Sequence, residues 1–180
     1  MKKAYFAWIL LVGLLASCSP RYTYFTKDLM ERQQWTAEDV SQIQFYLSKD
    51  IVLSRVLESS ETSISDGKIK VVDGRRVEYV ILKANTPGVL VQMPRKDRYA
   101  ISFEESDDDA YLMFGPSDKL GDRFVLLSYA WDRHQGQIHY KGNLYTVDAS
   151  SAYSGLLVDL QKEDRSQHES RHVSGRTIHP

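Results

Sequence analysis

Two groups of side chains in this sequence have the chemistry to bind a metal ion. The first lies in residues 104–109, which hold five carboxylates in six positions: Glu104, Glu105, Asp107, Asp108 and Asp109. Carboxylate oxygens suit calcium, but this run lacks a D-x-D-x-D-G spacing with a later bidentate Glu. We therefore interpret it as a solvated acidic loop, whose like charges discourage edge-to-edge pairing of strands.

The second group contains histidines. His134 and His139 flank a glycine-containing turn near Asp132, and two imidazoles with a carboxylate can ligate zinc. We expect His134 in the turn and His139 on the polar side of a short strand, which makes both surface histidines. His168 and His172 are four residues apart, but the segment around them lacks the apolar stripe of a stable helix. We predict no metal site and no cofactor.

A hydroxyl-rich segment, Ser150–Gly155, is the place to look for a nucleophile. A hydrolase needs a serine at a sharp turn with a base and an orienting acid, and the sequence has no G-x-S-x-G elbow. The segment is equally suited to an ordinary connection or to an N-cap before Leu156. The glycines are dispersed and form no phosphate-binding loop. We predict no catalytic residue and no enzymatic activity.

Five basic residues are placed in expected turns or strand starts: Arg75, Arg76, Arg95, Lys96 and Arg98. A solvated face is one interpretation of them. If they gather on one edge of a sheet, anionic lipid headgroups or an acidic partner would be suitable ligands.

The overall composition excludes several classes of protein. The 180 residues carry 24 acidic and 23 basic side chains, so the chain lacks the basic excess of nucleic-acid-binding proteins. Its length and 42% hydrophobic content allow one moderate domain. The single cysteine excludes an internal disulfide and a cysteine-rich metal site.

The elements that must position these residues begin with helices. Residues 25–34 predict a short helix. Thr36 and Asp39 form a variant of the capping box, and Val40, Ile43 and Leu47 recur at helical spacing. We therefore expect a second helix from residue 36 to residue 47.

From Ile51 the pattern changes to the two-residue period of strands. Hairpin turns are predicted at Asp73-Gly74 and Gly142-Asn143, and a type II turn at Thr86–Val89. Residues 124–131 are apolar on both faces, which predicts a central strand. In the strand that follows Gly74, the apolar residues are expected to face the core: Val77, Tyr79 and Ile81. The predicted fold class is α+β, with N-terminal helices packed on a mostly antiparallel sheet that is curled into an open barrel or sandwich.

The N-terminus has the pattern of a secretory signal. Two lysines precede an apolar run, Ala4–Ala16, and small residues follow it. The run has thirteen residues, shorter than the ~20 that a transmembrane helix needs. The sequence Leu15-Ala16-Ser17-Cys18 resembles the lipobox of bacterial lipoproteins, in which the cysteine is acylated and becomes the mature N-terminus. This resemblance implies lipidation at Cys18 and attachment to the membrane.

The residues after the cysteine carry sorting information in such lipoproteins. Ser19, in place of an Asp, favours the outer membrane, and the lack of acidic residues in Ser19–Tyr22 favours a domain that faces the periplasm. We divide the chain into a signal peptide (1–17), a lipid-proximal linker (18–24), a single α+β domain (25–161) and a flexible polar tail (162–180). The tail has too few apolar residues to offset the entropy of ordering.

Several segments resemble small outer-membrane lipoproteins of the Bacteroidota that have no assigned activity: Trp35–Asp39, Ile43–Ser48, Thr86–Gly88 and Tyr111–Gly115. The resemblance implies an outer-membrane lipoprotein and transfers no binding or catalytic residue. We expect a non-enzymatic binding or accessory module for another envelope component, such as an outer-membrane or periplasmic protein. One alternative is a periplasmic small-ligand carrier with an apolar cavity in the curled sheet. Another is an envelope hydrolase with an unrecognised site.

Overall fold

The computed structural model describes residues 21–58, 68–105, 109–132 and 134–161. The predicted signal peptide, Cys18, most of the predicted linker and the predicted polar tail lie outside these ranges, as do Asp107, Asp108, His168 and His172. Within the described ranges, no helix is both long enough and apolar enough to span a bilayer.

The described residues form thirteen strands. In chain order they are β1 (Tyr22–Tyr24), β2 (Phe45–Leu47), β3 (Ile51–Val56), β4 (Lys68–Val72), β5 (Arg75–Leu82), β6 (Pro87–Arg95), β7 (Arg98–Ser102), β8 (Tyr111–Ser117), β9 (Arg123–Leu126), β10 (Ala130–Trp131), β11 (Gln135–Tyr140), β12 (Asn143–Asp148) and β13 (Leu156–Asp159). A seven-stranded sheet has the order β1-β13-β2-β6-β7-β8-β9, and a six-stranded sheet has the order β10-β11-β12-β3-β5-β4. All the strand pairs in both sheets are antiparallel.

Two short helices lie between β1 and β2, and each begins at a threonine cap. Helix α1 (Lys27–Gln33) starts after Thr26, whose Oγ1 accepts a hydrogen bond from the Leu29 N–H at 3.0 Å. Helix α2 (Ala37–Ser41) starts at Thr36 with the predicted capping box, since the Asp39 carboxylate accepts from the Thr36 N–H at 2.8 Å. The predicted capping box is therefore confirmed, whereas the helix expected over residues 25–34 begins only at Lys27.

The predicted α+β class is wrong. The structure consists mainly of two antiparallel sheets that are not closed into a barrel, and helices of seven and five residues do not make a layer. The helix expected to reach Leu47 ends at Ser41, and residues 45–47 form β2. All three side chains of β2 are buried, and the strand lies between β13 and β6 in its sheet. A strand that is buried on both faces lacks polar alternation, so periodicity cannot distinguish it from a buried helix.

Two predicted strand boundaries are also wrong. Pro87 and Gly88 belong to β6 rather than to a type II turn, and the positive φ of 64° is at Asn85. Gly88 is required for packing, since a Cβ there would lie 2.5 Å from Cε1 of Phe103. The strand expected over residues 124–131 ends at Leu126, and β9 is the last strand in the order of its sheet rather than a central one.

The hairpin turns follow the predicted chemistry more closely. Asp73 and Gly74 join β4 to β5 with φ values of 49° and 74°, as predicted. The turn between β11 and β12 lies at Lys141 and Gly142, one residue before the predicted position. Residues 22–24, which the sequence places in the linker, pair with β13 as β1.

Phe25 lies at the centre of the seven-stranded sheet's core. Its N–H donates to the Leu156 carbonyl at 2.9 Å, and its carbonyl accepts from the Phe124 N–H at 3.0 Å, so its backbone links β13 to β9. Its ring is fully buried against other aromatic rings, with centroid distances of 4.8–6.2 Å: Trp35, Phe45, Tyr99 and Phe124. Such pairs contribute beyond the area they bury. Aromatic rings therefore occupy the part of the core around Phe25.

Candidate functional site

A cleft of about 940 Å³ lies where the ends of β8, β9 and β10 approach the 3-10 turn at Ala149–Tyr153. Its volume falls in the range of small-molecule and peptide sites. Aliphatic side chains and two aromatic rings line it: Leu120, Val125, Leu126, Leu127, Trp131 and Tyr153. Ser117, Lys119, Asp132 and Ser150 add polar groups. The cleft thus combines an apolar floor with a few hydrogen-bonding side chains.

Trp131 is held in the cleft wall by the close approach of β10 to β11. It pairs with Gly136, and a Cβ at that glycine would lie 2.6 Å from Cε3 of the indole. The Ser128 hydroxyl accepts from the N–H groups of Ala130 and Gln137 at 3.2 and 2.8 Å. The indole is therefore fixed against a glycine, with 38% of the residue still exposed.

Asp132 closes the turn that follows Trp131. Its Oδ1 accepts from the N–H of His134 at 2.7 Å and from that of Gln135 at 2.6 Å. These backbone hydrogen bonds lower the pKa of Asp132, because they stabilise its ionised form. His139 is exposed on β11, four residues beyond Gln135. The structure does not bring Asp132, His134 and His139 together, and the described ranges contain no group of three His, Cys, Asp or Glu side chains placed for a metal.

Tyr153 is positioned by the 3-10 turn. The turn begins at Asp148, whose Oδ1 accepts from the Ser150 N–H at 3.3 Å. At its end, Ser154 donates its hydroxyl to the Lys49 carbonyl at 2.9 Å, and its own carbonyl accepts from the Leu126 N–H at 3.0 Å. The Tyr153 ring lies 5.7 Å from Nζ of Lys49 and remains 56% exposed.

The hydroxyl-rich segment therefore has a structural role. Ser151 and Ser154 are buried, and Ser154 donates its hydroxyl to a backbone carbonyl. Ser150 is the serine of this segment that lines the cleft. The sequence suggests these residues as candidates for catalysis and does not show that they place Tyr153 at the cleft.

A second cavity of about 350 Å³ adjoins the cleft and shares Leu120 with it. Its charged side chains interact with one another or with a ring. Arg32 lies 2.8 Å from the Asp28 carboxylate, and the Arg123 guanidinium carbon lies 4.0 Å from the Tyr24 ring centroid. It offers less apolar surface than the cleft does.

The acidic run is described only in part, because Asp107 and Asp108 lie outside the described residues. Of the acidic run, Glu104 accepts hydrogen bonds from the Tyr140 hydroxyl and from the Lys141 ammonium group, which attaches it to the β11–β12 hairpin. The five basic residues are divided between the two sheets: two begin β5, and three lie at the β6–β7 turn.

A buried polar cluster in the six-stranded sheet was missed by sequence reasoning. Glu78 is completely buried; Nε of Arg55 lies 2.7 Å from its Oε2, and the Tyr145 hydroxyl donates to the same oxygen at 3.0 Å. Nη1 of Arg55 also donates to Oδ1 of Asn143 at 3.3 Å. Burial raises the pKa of Tyr145, and the Glu78 carboxylate raises it further. The cluster joins β3, β5 and β12.

The position of Glu78 reverses the expected facing of β5. Glu78 and Leu82 are buried, whereas Val77 and Tyr79 are half-buried and Ile81 is exposed. Because side chains alternate along a strand, the predicted inward set of Val77, Tyr79 and Ile81 is wrong. The signal was present in the sequence, since Arg55 and Glu78 can form an ion pair, but the β3–β5 register that joins them is non-local.

Comparisons with protein-family models, curated proteins and solved structures find no match to this chain.

Replacing Gly136 with Ala is expected to displace the Trp131 indole, because the new methyl carbon would lie 2.6 Å from Cε3 of the ring, which is closer than van der Waals contact allows. We expect a loss of about 1–3 kcal/mol in the free energy of unfolding from overpacking. In residues 18–180 with Trp35→Phe, Trp131 is the remaining tryptophan. Its fluorescence emission should shift to longer wavelength and become more easily quenched by acrylamide.

Gly155→Ala is the control for this measurement. A Cβ at Gly155 has its nearest contacts at 3.3 Å, to Phe124 and Tyr24, and none to Trp131. It should leave the emission of Trp131 unchanged. An unchanged spectrum in Gly136→Ala would contradict the assignment of Gly136 as the residue that positions the indole.

Proposed function

We propose that this protein is a lipid-anchored binding module of the outer membrane, and that its cleft holds a segment of another envelope protein. The observation that carries the proposal is that two exposed aromatic side chains, Trp131 and Tyr153, line the same cleft together with aliphatic side chains. Both residues are in hydrogen-bonded backbone. Trp131 is on β10, which pairs with β11, and Tyr153 is in the 3-10 turn.

The composition of the cleft suits a protein ligand. Tryptophan and tyrosine are enriched where protein interfaces have their strongest contacts, because they bury a large area at a low cost in conformational entropy. Ser117 and Ser150 provide hydroxyl groups at the cleft, and such groups give a bound backbone hydrogen-bond partners. The volume is sufficient for several side chains of an inserted segment.

The two alternative functions have less support. A small-ligand carrier would need a cavity inside the curled sheet, where the rings of Phe25, Tyr99 and Phe124 are in mutual contact. A hydrolase would need a serine presented to a base, and Ser151 and Ser154 are buried. These observations favour binding at the cleft over transport or chemistry.

The anchoring part of the proposal is supported by the lipobox-like sequence before Cys18. Several acyl chains together give nearly permanent attachment, whereas one gives marginal binding. Tyr22, the first residue of β1, is four positions after Cys18, and an extended chain of that length spans about 14 Å at most. The lipid would therefore hold the domain close to the membrane surface.

A photocrosslinking residue at Tyr153, incorporated in the full chain in host cells, is expected to give one adduct of defined mass with an envelope protein. Trp131→Ala in the same chain should reduce the yield at least tenfold, as removal of a central aromatic anchor costs about 2 kcal/mol or more. The control position is Glu38, which is exposed on α2 and does not line the cleft. The same adduct from both positions, or a yield insensitive to Trp131→Ala, would count against the cleft.

Cys18→Ala should release the domain from the membrane fraction, because the proposed acylation requires the thiol. Fractionation of host envelopes and mass spectrometry of the mature N-terminus measure this directly. Ser19→Ala is the matched control and should stay in the membrane fraction with its lipid. Retention of Cys18→Ala in the outer membrane would contradict lipid anchoring.

A further inference from the structure

The outward face of the six-stranded sheet carries apolar side chains where an antiparallel sheet usually has polar ones. Val56, Ile81 and Leu144 are 56%, 46% and 47% exposed. Val56 pairs with Val77 on β5, and Val77 pairs with Lys70 on β4, so one row of this face crosses three strands. We call the apolar side chains of this side the outward apolar face: Val56, Val72, Val77, Tyr79, Ile81 and Leu144.

Three cations border the outward apolar face on the side of β4. Lys68 pairs with Tyr79, Lys70 with Val77, and Arg75 with Val72, so each lies in a row with one of its apolar residues. All three cations are exposed. Nζ of Lys70 lies 5.5 Å from the Tyr79 ring centroid. This part of the sheet therefore presents a positive margin beside aliphatic surface.

Glu78 on β5 faces inward, and Asp73 is exposed in the turn between β4 and β5. The acidic side chains of β12 and of the segment after β3 lie at the margins of the face. Asp148 is the last residue of β12, two positions beyond Thr146, which pairs with Ser54. Glu58 follows the end of β3 by two residues. Neither residue is on β4 or β5, where the three cations are concentrated.

The exposure of this face is a consequence of the buried polar cluster around Glu78. Burial of Glu78 against Arg55 fixes which side of β5 points inward, and alternation then places Val77, Tyr79 and Ile81 outward. A buried ion pair is rarely a gain in stability over apolar packing. The sheet thus keeps a charged pair inside while Val56, Ile81 and Leu144 are exposed on its outward side, and exposed apolar patches of this kind mark contact surfaces.

We propose that the outward apolar face docks on an anionic bilayer surface. Lys68, Lys70 and Arg75 would contact lipid phosphates, and the aliphatic side chains would lie at the boundary between headgroups and acyl chains. This inference does not depend on the cleft.

Vesicle binding tests the proposal with residues 18–180 carrying Cys18→Ala, which include every described residue and exclude the signal peptide and the acylated thiol. The protein is expected to co-sediment with vesicles of 3:1 phosphatidylethanolamine and phosphatidylglycerol at 50 mM NaCl. Binding should weaken at 0.5 M NaCl because the charges are screened. Binding to pure phosphatidylcholine vesicles should be at least tenfold weaker.

Two sets of variants identify the surface. The triple variant Lys68→Gln, Lys70→Gln, Arg75→Gln is expected to lose about a hundredfold in partition coefficient, at roughly 1 kcal/mol for each charge. Its matched control, Lys27→Gln, Arg95→Gln, Lys96→Gln, removes the same charge from exposed positions elsewhere and should bind nearly as the parent does. Val56→Ser with Leu144→Ser should weaken binding at both salt concentrations.

Circular dichroism and thermal unfolding of each variant establish that the domain is folded before binding is compared. Equal loss in the triple variant and its control would overturn the assignment of this face. Equal binding to both kinds of vesicle would overturn the role of anionic lipid. No binding to either would also overturn the proposal and would leave an acidic protein as the better partner for the face.

Discussion

The buried ion pair between Arg55 and Glu78 is the contact on which the six-stranded sheet depends. Removing one partner of such a pair costs about 3–5 kcal/mol, because the other charge stays buried. Glu78 also accepts from Tyr145 on β12. Strand β12 pairs with β11, and β11 pairs with β10, which contains Trp131. The same carboxylate therefore fixes the outward face of β5 and connects it to the strands that form one wall of the cleft.

The buried apolar residues of the two sheets form one cluster, which includes Phe45 and Phe124 from one sheet and Leu53 and Val147 from the other. Phe25 links β13 to β9 through its backbone. The six-stranded sheet adds a buried pair of opposite charges. The cleft lies at the edge where the two sheets meet, between the end of β9 and the short strand β10. Rigid elements on both sides hold its rings before any ligand is bound, which reduces the entropy cost of binding.

Local features of this fold are readable in the sequence, and non-local ones are not. The capping box of Thr36 and the Asp73-Gly74 turn are set by residues within four positions of one another, and both are present. The strand nature of residues 45–47 depends on their position between β13 and β6. The facing of β5 likewise depends on Arg55, twenty-three residues away from Glu78.

The candidate site shows the same division. Asp132 and Ser150–Gly155 attract notice in the sequence as possible chemical groups, but their hydrogen bonds show that they shape turns. Trp131 and Tyr153 are more than twenty residues apart and are on different elements. They share a surface because the edges of the two sheets lie close together. The periodicity of the sequence does not predict which sheet edges are neighbours.

The facing of β5, with Glu78 inward and the apolar side outward, can be measured by the accessibility of single thiols. Ile81→Cys and Leu82→Cys are made separately in the Cys18→Ala background, where each variant has one cysteine. A water-soluble maleimide should modify the thiol at position 81 rapidly in the native protein, and that at position 82 only after denaturation. Rapid modification at position 82 with protection at position 81 would show that β5 faces the other way.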